Sequence, residues 1–580
     1  MLFVSLVSST AESEMRQKVL LFSVIAALLL AGYAAYLFKT HHHDAEDKFL
    51  DSIDSAAAEE HKRPINSEYG EILNMASWRY NEADNVYYQL GILYVQRPED
   101  EKYERMALFV PAEFMNCRAN GPETYGCEPN EAGKIGGYTV KTAPIVIPVE
   151  TSEYEANPAL TAYRNVSAHT KAGHIYAHVG FRGSEHGAPA GLVDIKAAIR
   201  YMRHNREHIP ANTDYIIMFG AKAGGGLASL VGTTADSPLF RPYFKDIGAL
   251  ERGNERVYGV MAWSPLTNFD AANEAYEWNM GATRSGLSDS HLKLSQKMAR
   301  EYATYINNAG FRDMHGRPLI LQYSERGIYQ EGGYYQFVKE LIEDSLNEFL
   351  QTSKYPLQID ENTVPPFMKN YTGFYIDRER YLRRLNDKLS WIKYDIDGSR
   401  YVIRSVEDFV HLMKQATKPL GAFDAPDRSR PENMLFGNGD GKGNHFDKFM
   451  AKILKDSSLG REYAADLKKQ DALGNSVQDR LNMYTPLYFI MPSFDGYRTA
   501  KIAPYWRIRS GINRTDTALT TEINLALALA NYPTVSKVDF KVIWSQEKAM
   551  AEENSQDGEA AFIRWVDTIM KNSHGFDLEQ

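Results

Sequence analysis

The chain has 580 residues, of which 44% are hydrophobic and 12% aromatic, a composition that supplies a large buried core and excludes wholesale disorder or collagen-like structure. Its 65 Lys and Arg against 75 Asp and Glu leave a net charge of −10, so there is no general basic surface for phosphate backbones and nucleic acid is not expected as a partner. Two cysteines, Cys117 and Cys127, exclude a disulfide-stapled scaffold and a Cys-rich metal centre, and no cofactor or metal is expected.

In chain order, residues 1–38 contain the run Val19 to Phe38, twenty residues without a charge, preceded by Arg16 and Lys18 and followed by Lys39. That length spans hydrocarbon as a helix. Two readings stand: a retained membrane anchor, favoured by the length and Lys39, and a secretory signal cleaved near Gly32 to Ala35. Met15, directly before Arg-Gln-Lys, is an alternative start. Either way the rest of the chain is expected to be exported, to the periplasmic or extracellular face or into the medium. Export permits a disulfide between Cys117 and Cys127, worth about 2–3 kcal/mol in the chain-entropy account. Residues 39–66 read as a polar linker. The three adjacent histidines His41, His42 and His43 lack the spacing of a tetrahedral metal site. Asn165-Val-Ser, Asn370-Tyr-Thr and Asn513-Arg-Thr match the glycosylation acceptor pattern, which matters only in a eukaryotic secretory route.

Residues 67–286 alternate strands and helices. VYYQLGILYVQ, ERMALFVPAEF, APIVIPVE and GHIYAHVG read as strands, because they alternate or are continuously apolar. A helix follows, with Leu192, Ile195, Ile199 and Met202 at helical spacing. DYIIMFGAKAGGGLASLVG reads as a buried strand turning sharply into a second helix, and VYGVMAWSP, RPLILQYS, YWRIRSG and KVDFKVIW as further strands, with helices at Thr517 to Asn531 and Asp557 to Lys571. This pattern predicts an α/β fold with a mostly parallel sheet. Between 287 and 483 the alternation breaks into a polar, helix-rich, Tyr-rich stretch, read as an inserted lid domain. Residues 484–580 return to the core.

In such a sheet ligands bind at the carboxyl ends of the strands, so the turn after YIIMFG is the first place to look for chemistry. Gly220-Ala-Lys222-Ala-Gly224 has the G-x-S-x-G spacing of a nucleophile elbow, with Lys222 at the centre. Around it stand FRGSEHGAPAGLVDIKAAIRYMRHN, GAKAGGGLASLVG, PYFKDIGAL, VYGVMAWSPLTNFDAANEAYEW, PENMLFG, NHF and PYWRIRSG. This ordered series resembles bacterial tannases and the related feruloyl-esterase-like α/β-hydrolases over most of Tyr87 to Lys571.

The resemblance implies an α/β-hydrolase fold and a Ser nucleophile at the elbow, with an acid after the late R-x-G strand and a His after a last strand ending in Trp. Carried over, the nucleophile position is Lys222, the acid region is Arg514-Thr-Asp516 with either Arg514 or Asp516 at the acid position, and the base position is Lys548; no His occurs from Trp544 to Met570. The loop Gly180-Phe-Arg182-Gly183-Ser184 matches the one that supplies an oxyanion-hole N–H, and Ala223 stands where the other originates.

Acyl transfer needs a hydroxyl or thiolate with a base beside it, so these residues predict a non-catalytic binding protein. If Lys222, Arg514 and Lys548 share one pocket, opposed mainly by Asp516, they form an anion site for a small anionic or aromatic carboxylate ligand. Alternatively, Lys222 pairs with Asp516 and plugs a dead site. Two further readings are an ester hydrolase with another nucleophile and a surface scaffold that binds a protein partner. Ser229 and Ser264 read as packing residues, and His174, His178 and His186 as the bases nearest the oxyanion loop. A Schiff base on Lys222 is the remaining chemical route. Asp194 and Lys196 read as a solvated face or a structural pair, His445 as a polar loop residue, and GIYQEGGYYQF as pocket lining or lid packing.

Overall fold

The computed structural model describes residues 63–325, 327–544, 549–553 and 556–574. Val19 to Phe38, the linker to Lys62 and Lys548 lie outside the described residues. Among the described residues no helix is long and apolar enough to cross a membrane.

Nine strands form one twisted sheet: β1 (Arg79–Asn81), β2 (Val86–Leu93), β3 (Arg105–Pro111), β4 (Ile145–Val149), β5 (Ile175–Val179), β6 (Ile216–Ala221), β7 (Gly259–Trp263), β8 (Tyr505–Gly511) and β9 (Lys537–Ile543), in spatial order β1-β2-β3-β5-β4-β6-β7-β8-β9. The first three strands pair antiparallel, as does β3 with β5, and all pairs from β5 to β9 are parallel. This is an α/β-hydrolase fold. The central strands are continuous apolar runs because helices cover both faces, whereas β2 is half-buried along its middle five residues. Helices α1 (Ala190–His204), α2 (Ala223–Thr234), α6 (Leu519–Ala530) and α7 (Gly558–His574) belong to this core.

Helix α3 (Ala272–Met280) precedes the insertion, which contributes α4 (Asp289–Ala309) and α5 (Gly333–Thr352). Local chemistry sets the bounds of α4: the Ser288 hydroxyl accepts the His291 N–H at its start, and Gly310 ends it at φ 75°. From Arg63 onward the chain is one compact unit, and the insertion shares the hydrophobic core of the sheet. Tyr334 ties the two together: its hydroxyl donates to the side-chain oxygen of Asn524 on α6 at 2.6 Å. That places GIYQEGGYYQF in lid packing, with Tyr335 bonded to Glu407 at 3.0 Å.

The strand expected at RPLILQYS is absent from the main sheet. Its backbone is taken by neighbours in the insertion, Leu319 N–H by the Phe311 carbonyl at 2.8 Å and the Ile320 carbonyl by Tyr334 N–H at 3.1 Å. Only Gln322–Ser324 is extended, in a separate hairpin with Gly327–Glu331. Cys117 and Cys127 face each other in the hairpin Met115–Ala119 and Tyr125–Pro129 and are joined by a disulfide.

Candidate functional site

The carboxyl ends of β4, β6, β7 and β8 converge on the elbow. Lys222 leaves β6 at φ 53° and ψ −123°, and α2 starts at the next residue. Such a turn is possible only because its flanks carry no side chain: a Cβ on Gly220 would lie 2.6 Å from the Gly224 carbonyl carbon, and one on Gly224 would lie 2.1 Å from the Val149 oxygen. The backbone holds the strain in place. Lys222 N–H donates to the Trp263 carbonyl at 3.0 Å, and its own carbonyl accepts from Gly226 N–H at 2.9 Å and Leu266 N–H at 3.0 Å. The Lys222 side chain is half-buried, and its ammonium has no hydrogen bond or ion pair among the described residues. Ala223 opens α2, so its N–H is one of the donors that a helix leaves unsatisfied.

Arg514 lies in the loop after β8, with 2% of its surface exposed. Its guanidinium grips Asp516 through Nε at 2.9 Å and through Nη2, while Nη1 donates to the Ser264 carbonyl at 2.9 Å. Lys222 N–H and the Arg514 guanidinium therefore bond to consecutive residues at the end of β7, which places the elbow and the acid region side by side. The Lys414 ammonium donates to the Arg514 carbonyl. Burial pushes the Asp516 carboxyl up, but Arg514, then Lys414 and Lys418, outweigh it and hold it below its ordinary value.

These contacts correct the expected cation trio. Arg514 is not free to meet an anion, because Asp516 and Ser264 take its donors, and Lys548 is outside the described residues. Asp516 pairs with Arg514, so the alternative pairing of Lys222 with Asp516 is not formed. Sequence reasoning missed the other charged groups of the site. Lys418, half-buried with its ammonium over the Phe423 ring at 4.0 Å, has that ammonium pushed down by desolvation, against the smaller upward pull of Glu432, Asp516 and Glu153. Burial pushes Glu432 up against the pull of Lys418. Glu522, on α6, accepts from the Ser510 hydroxyl at 3.1 Å and is pushed up to about 7 by burial, which Arg514 and Lys414 oppose. Glu432 was legible only as part of PENMLFG; Lys414, Lys418, Glu153 and Glu522 carry no motif.

The oxyanion-type loop is also relocated. Arg182 N–H is taken by Asp194 Oδ2 at 2.8 Å, and its guanidinium bonds Asp194 and Glu99 with Glu104 beside it. Gly183 packs on the Ala156 backbone, 2.2 Å from where its Cβ would stand. This loop follows β5, whereas the strand adjoining β6 is β4, and the loop after β4 touches the elbow: Gly224 N–H donates to the Thr151 carbonyl at 3.1 Å. Ala223 keeps its expected place at the start of α2.

The remaining candidates are structural. Ser229 donates to the Gly225 carbonyl at 2.7 Å within α2, and the Ser264 hydroxyl is buried without a partner among the described residues. His174 is pushed down to about 3 by burial and by His169. His178 bonds the Pro158 carbonyl at 3.0 Å, and His186 packs on Tyr103. Asp194 and Lys196 are fully buried, which overturns the solvated-face reading; Lys196 donates to the Thr234 carbonyl at 2.9 Å and burial pushes it down to about 7. His445 does lie in a loop, but it is fully buried there, bonded to Asp424 at 2.7 Å and stacked on Tyr463 at 3.7 Å. Asn513 is buried and donates to the Met413 carbonyl at 3.0 Å, so the fold closes that acceptor pattern. Among the described residues no group of His, Cys, Asp and Glu is arranged to hold a metal.

Comparison with known proteins agrees with this architecture. A family model described as BD-FAE matches residues 138–319. The crystal structure of Fusobacterium nucleatum tannase superposes with a TM-score of 0.66 at 23% identity, covering 87% of this chain and all of that one. A tannin acyl hydrolase in complex with 3,4-dihydroxybenzoate gives 0.64 at 23% identity, covering 86% of this chain and 99% of that one. Esterase LipQ of Mycobacterium tuberculosis is 29% identical over 136 residues, 23% of this chain and 32% of LipQ. The chain thus spans about a third of the length of the curated relatives it matches. The likenesses are to esterases and tannases built on the α/β-hydrolase fold.

Proposed function

We propose that this chain is a tannase- and esterase-like α/β-hydrolase-fold protein that binds a small carboxylate ligand at the elbow without hydrolysing esters there. The observation that carries the reading is the occupant of the elbow apex, an amine in place of a hydroxyl or thiol. A protonated ammonium cannot attack an ester carbonyl, and a neutral amine that did so would leave an amide too inert to turn over. Arg514 fills the region where an acid is expected and neutralises Asp516, so no carboxylate there is free to orient a base. The same substitutions favour binding: the Lys222 ammonium and the Ala223 N–H offer a charge and a helix-terminal donor to one carboxylate. A charge-assisted contact of this kind is worth about 1.5–3 kcal/mol.

The test measures hydrolysis of methyl gallate and of an aryl ester by the full chain, alongside Lys222→Ala and Lys222→Ser, together with binding of 3,4-dihydroxybenzoate. No turnover is expected, with binding that Lys222→Ala weakens at least about tenfold. Turnover that survives Lys222→Ala would instead establish an ester hydrolase with another nucleophile. Turnover that Lys222→Ala abolishes would make Lys222 itself the reacting group. Equal carboxylate affinity in Lys222→Ala would remove the anion role, leaving the scaffold reading.

A further inference from the structure

A cavity of about 220 Å³ opens at the end of the sheet opposite the elbow. It is bounded by the chain entering β6, β7 and β8, near Asp214, Tyr258 and Lys501, and by Arg203 at the end of α1. Its charged lining is Arg203, Arg256 and Lys501 against the single carboxylate of Asp214. We propose that this cavity is a ligand site for a phosphate group.

The donors are already positioned. Arg203 has a side chain only 9% exposed, and its guanidinium is pinned by Asp214 Oδ1 at 2.6 Å and by the Arg256 carbonyl at 2.6 Å. Its remaining Nε–H is buried and has no acceptor among the described residues. A buried donor left unmatched costs about 1–3 kcal/mol; this Nε has no surface open to the cavity, so Arg203 contributes charge to the wall and the direct contacts fall to Lys501 and Asn254. Asn254 spends its oxygen on Arg256 N–H at 3.1 Å, which leaves its amide donors for a ligand. Arg256 commits Nε to Asp236 at 2.8 Å. Lys501 is anchored through its N–H to the Ala235 carbonyl at 2.7 Å, and its ammonium is exposed and has no ion pair among the described residues.

The wall is stiff, since Tyr258 packs between Tyr215 and Tyr505 with ring centroids 4.9 Å away on each side. A phosphate monoester carries about 1.5–2 negative charges near neutral pH; with Arg203 paired to Asp214 and Arg256 to Asp236, the cationic excess of the site is the one charge of Lys501, and Asn254 adds uncharged donors for the further phosphate oxygens. Its source is either a soluble phosphate ester or the headgroup of an anionic lipid.

Inorganic phosphate is titrated into the full chain and followed by ³¹P NMR, a direct readout that separates site binding from general salting effects. Saturable binding is expected. Lys501→Glu reverses an exposed charge, and Asn254→Asp keeps the bond to Arg256 while adding a negative charge; each should weaken binding by about tenfold or more. Both substitutions are also read in the Lys222→Ala background, where the elbow's own anion anchor is removed, so failure here is distinguishable from failure of the elbow reading. Co-sedimentation with phosphatidic acid vesicles over phosphatidylcholine vesicles, lost in Lys501→Glu, would assign the lipid source. Phosphate binding without that difference would assign the soluble ester. No saturable binding of phosphate, or equal affinity in Lys501→Glu and Asn254→Asp, would overturn the proposal.

Discussion

Replacing Lys222 by Gly should stabilise the protein while weakening its carboxylate binding at least about tenfold. The reasoning starts from the backbone: at φ 53° and ψ −123°, Lys222 occupies a conformation that a residue with a Cβ rarely adopts, and such a residue stores about 1–3 kcal/mol of strain. Gly relieves the strain but adds freedom to the unfolded chain, a loss of about 0.4–1 kcal/mol. The net expectation is a gain of about 0.5–2 kcal/mol. Lys222→Ala is the control, because it deletes the ammonium and keeps the Cβ; with no partner for that ammonium among the described residues, its stability should stay within about 0.5 kcal/mol of the parent. Both variants are compared with the parent by guanidinium denaturation followed through tryptophan fluorescence, reading the midpoint at constant slope. If Lys222→Gly matches Lys222→Ala, the elbow holds no strain to release. If both fall well below the parent, the lysine makes contacts that stabilise the fold, and its proposed role as an open anchor for ligand fails.

Three other outcomes are expected. Glu522 is pushed up to about 7 by burial and so stays protonated in the folded protein where the unfolded chain has already ionised; its contribution to stability is present below about pH 4.3 and is lost as pH rises from there to about 7, by about 3 kcal/mol. Glu522→Gln should flatten that part of the stability profile, and an unchanged slope between the two pH values would contradict the assignment. Gly224→Ala would put a methyl group 2.1 Å from the Val149 oxygen, which must force the elbow away from β4 at a cost of about 3 kcal/mol, visible as a lower denaturation midpoint and weaker 3,4-dihydroxybenzoate binding. Cys117→Ser with Cys127→Ser removes a link across a separation of 10 residues and should cost about 2–3 kcal/mol; a midpoint equal to that of the parent would show that the hairpin closes without it.

The central strands were legible as short continuous apolar runs and the helices of residues 190–204, 519–530 and 558–574 by apolar residues at helical spacing, and nothing competes with either signal. RPLILQYS carries the same apolar signal yet forms no core strand, since Phe311 and Tyr334 capture its backbone before any sheet edge can. His445 and Asp194 misled for the opposite reason. Each is polar in sequence, and each is buried because a partner distant in the chain or across a loop, Asp424 for one and Arg182 for the other, satisfies it.

What the sequence by itself determined is the elbow: two glycines at fixed spacing around Lys222, after an apolar strand and before a helix, leave one way to turn, and they put an amine where a hydroxyl was expected. The charge state of the site was decided only by tertiary structure. Lys222, Arg514 and Lys548 read as three cations along the chain, but Arg514 is held by Asp516 two residues on and by the Ser264 carbonyl brought from the end of β7, while the insertion delivers Lys414, Lys418 and Glu432. The strength and sign of a charge in a buried pocket follow from those neighbours and from the loss of water around them, neither of which is written in the order of residues.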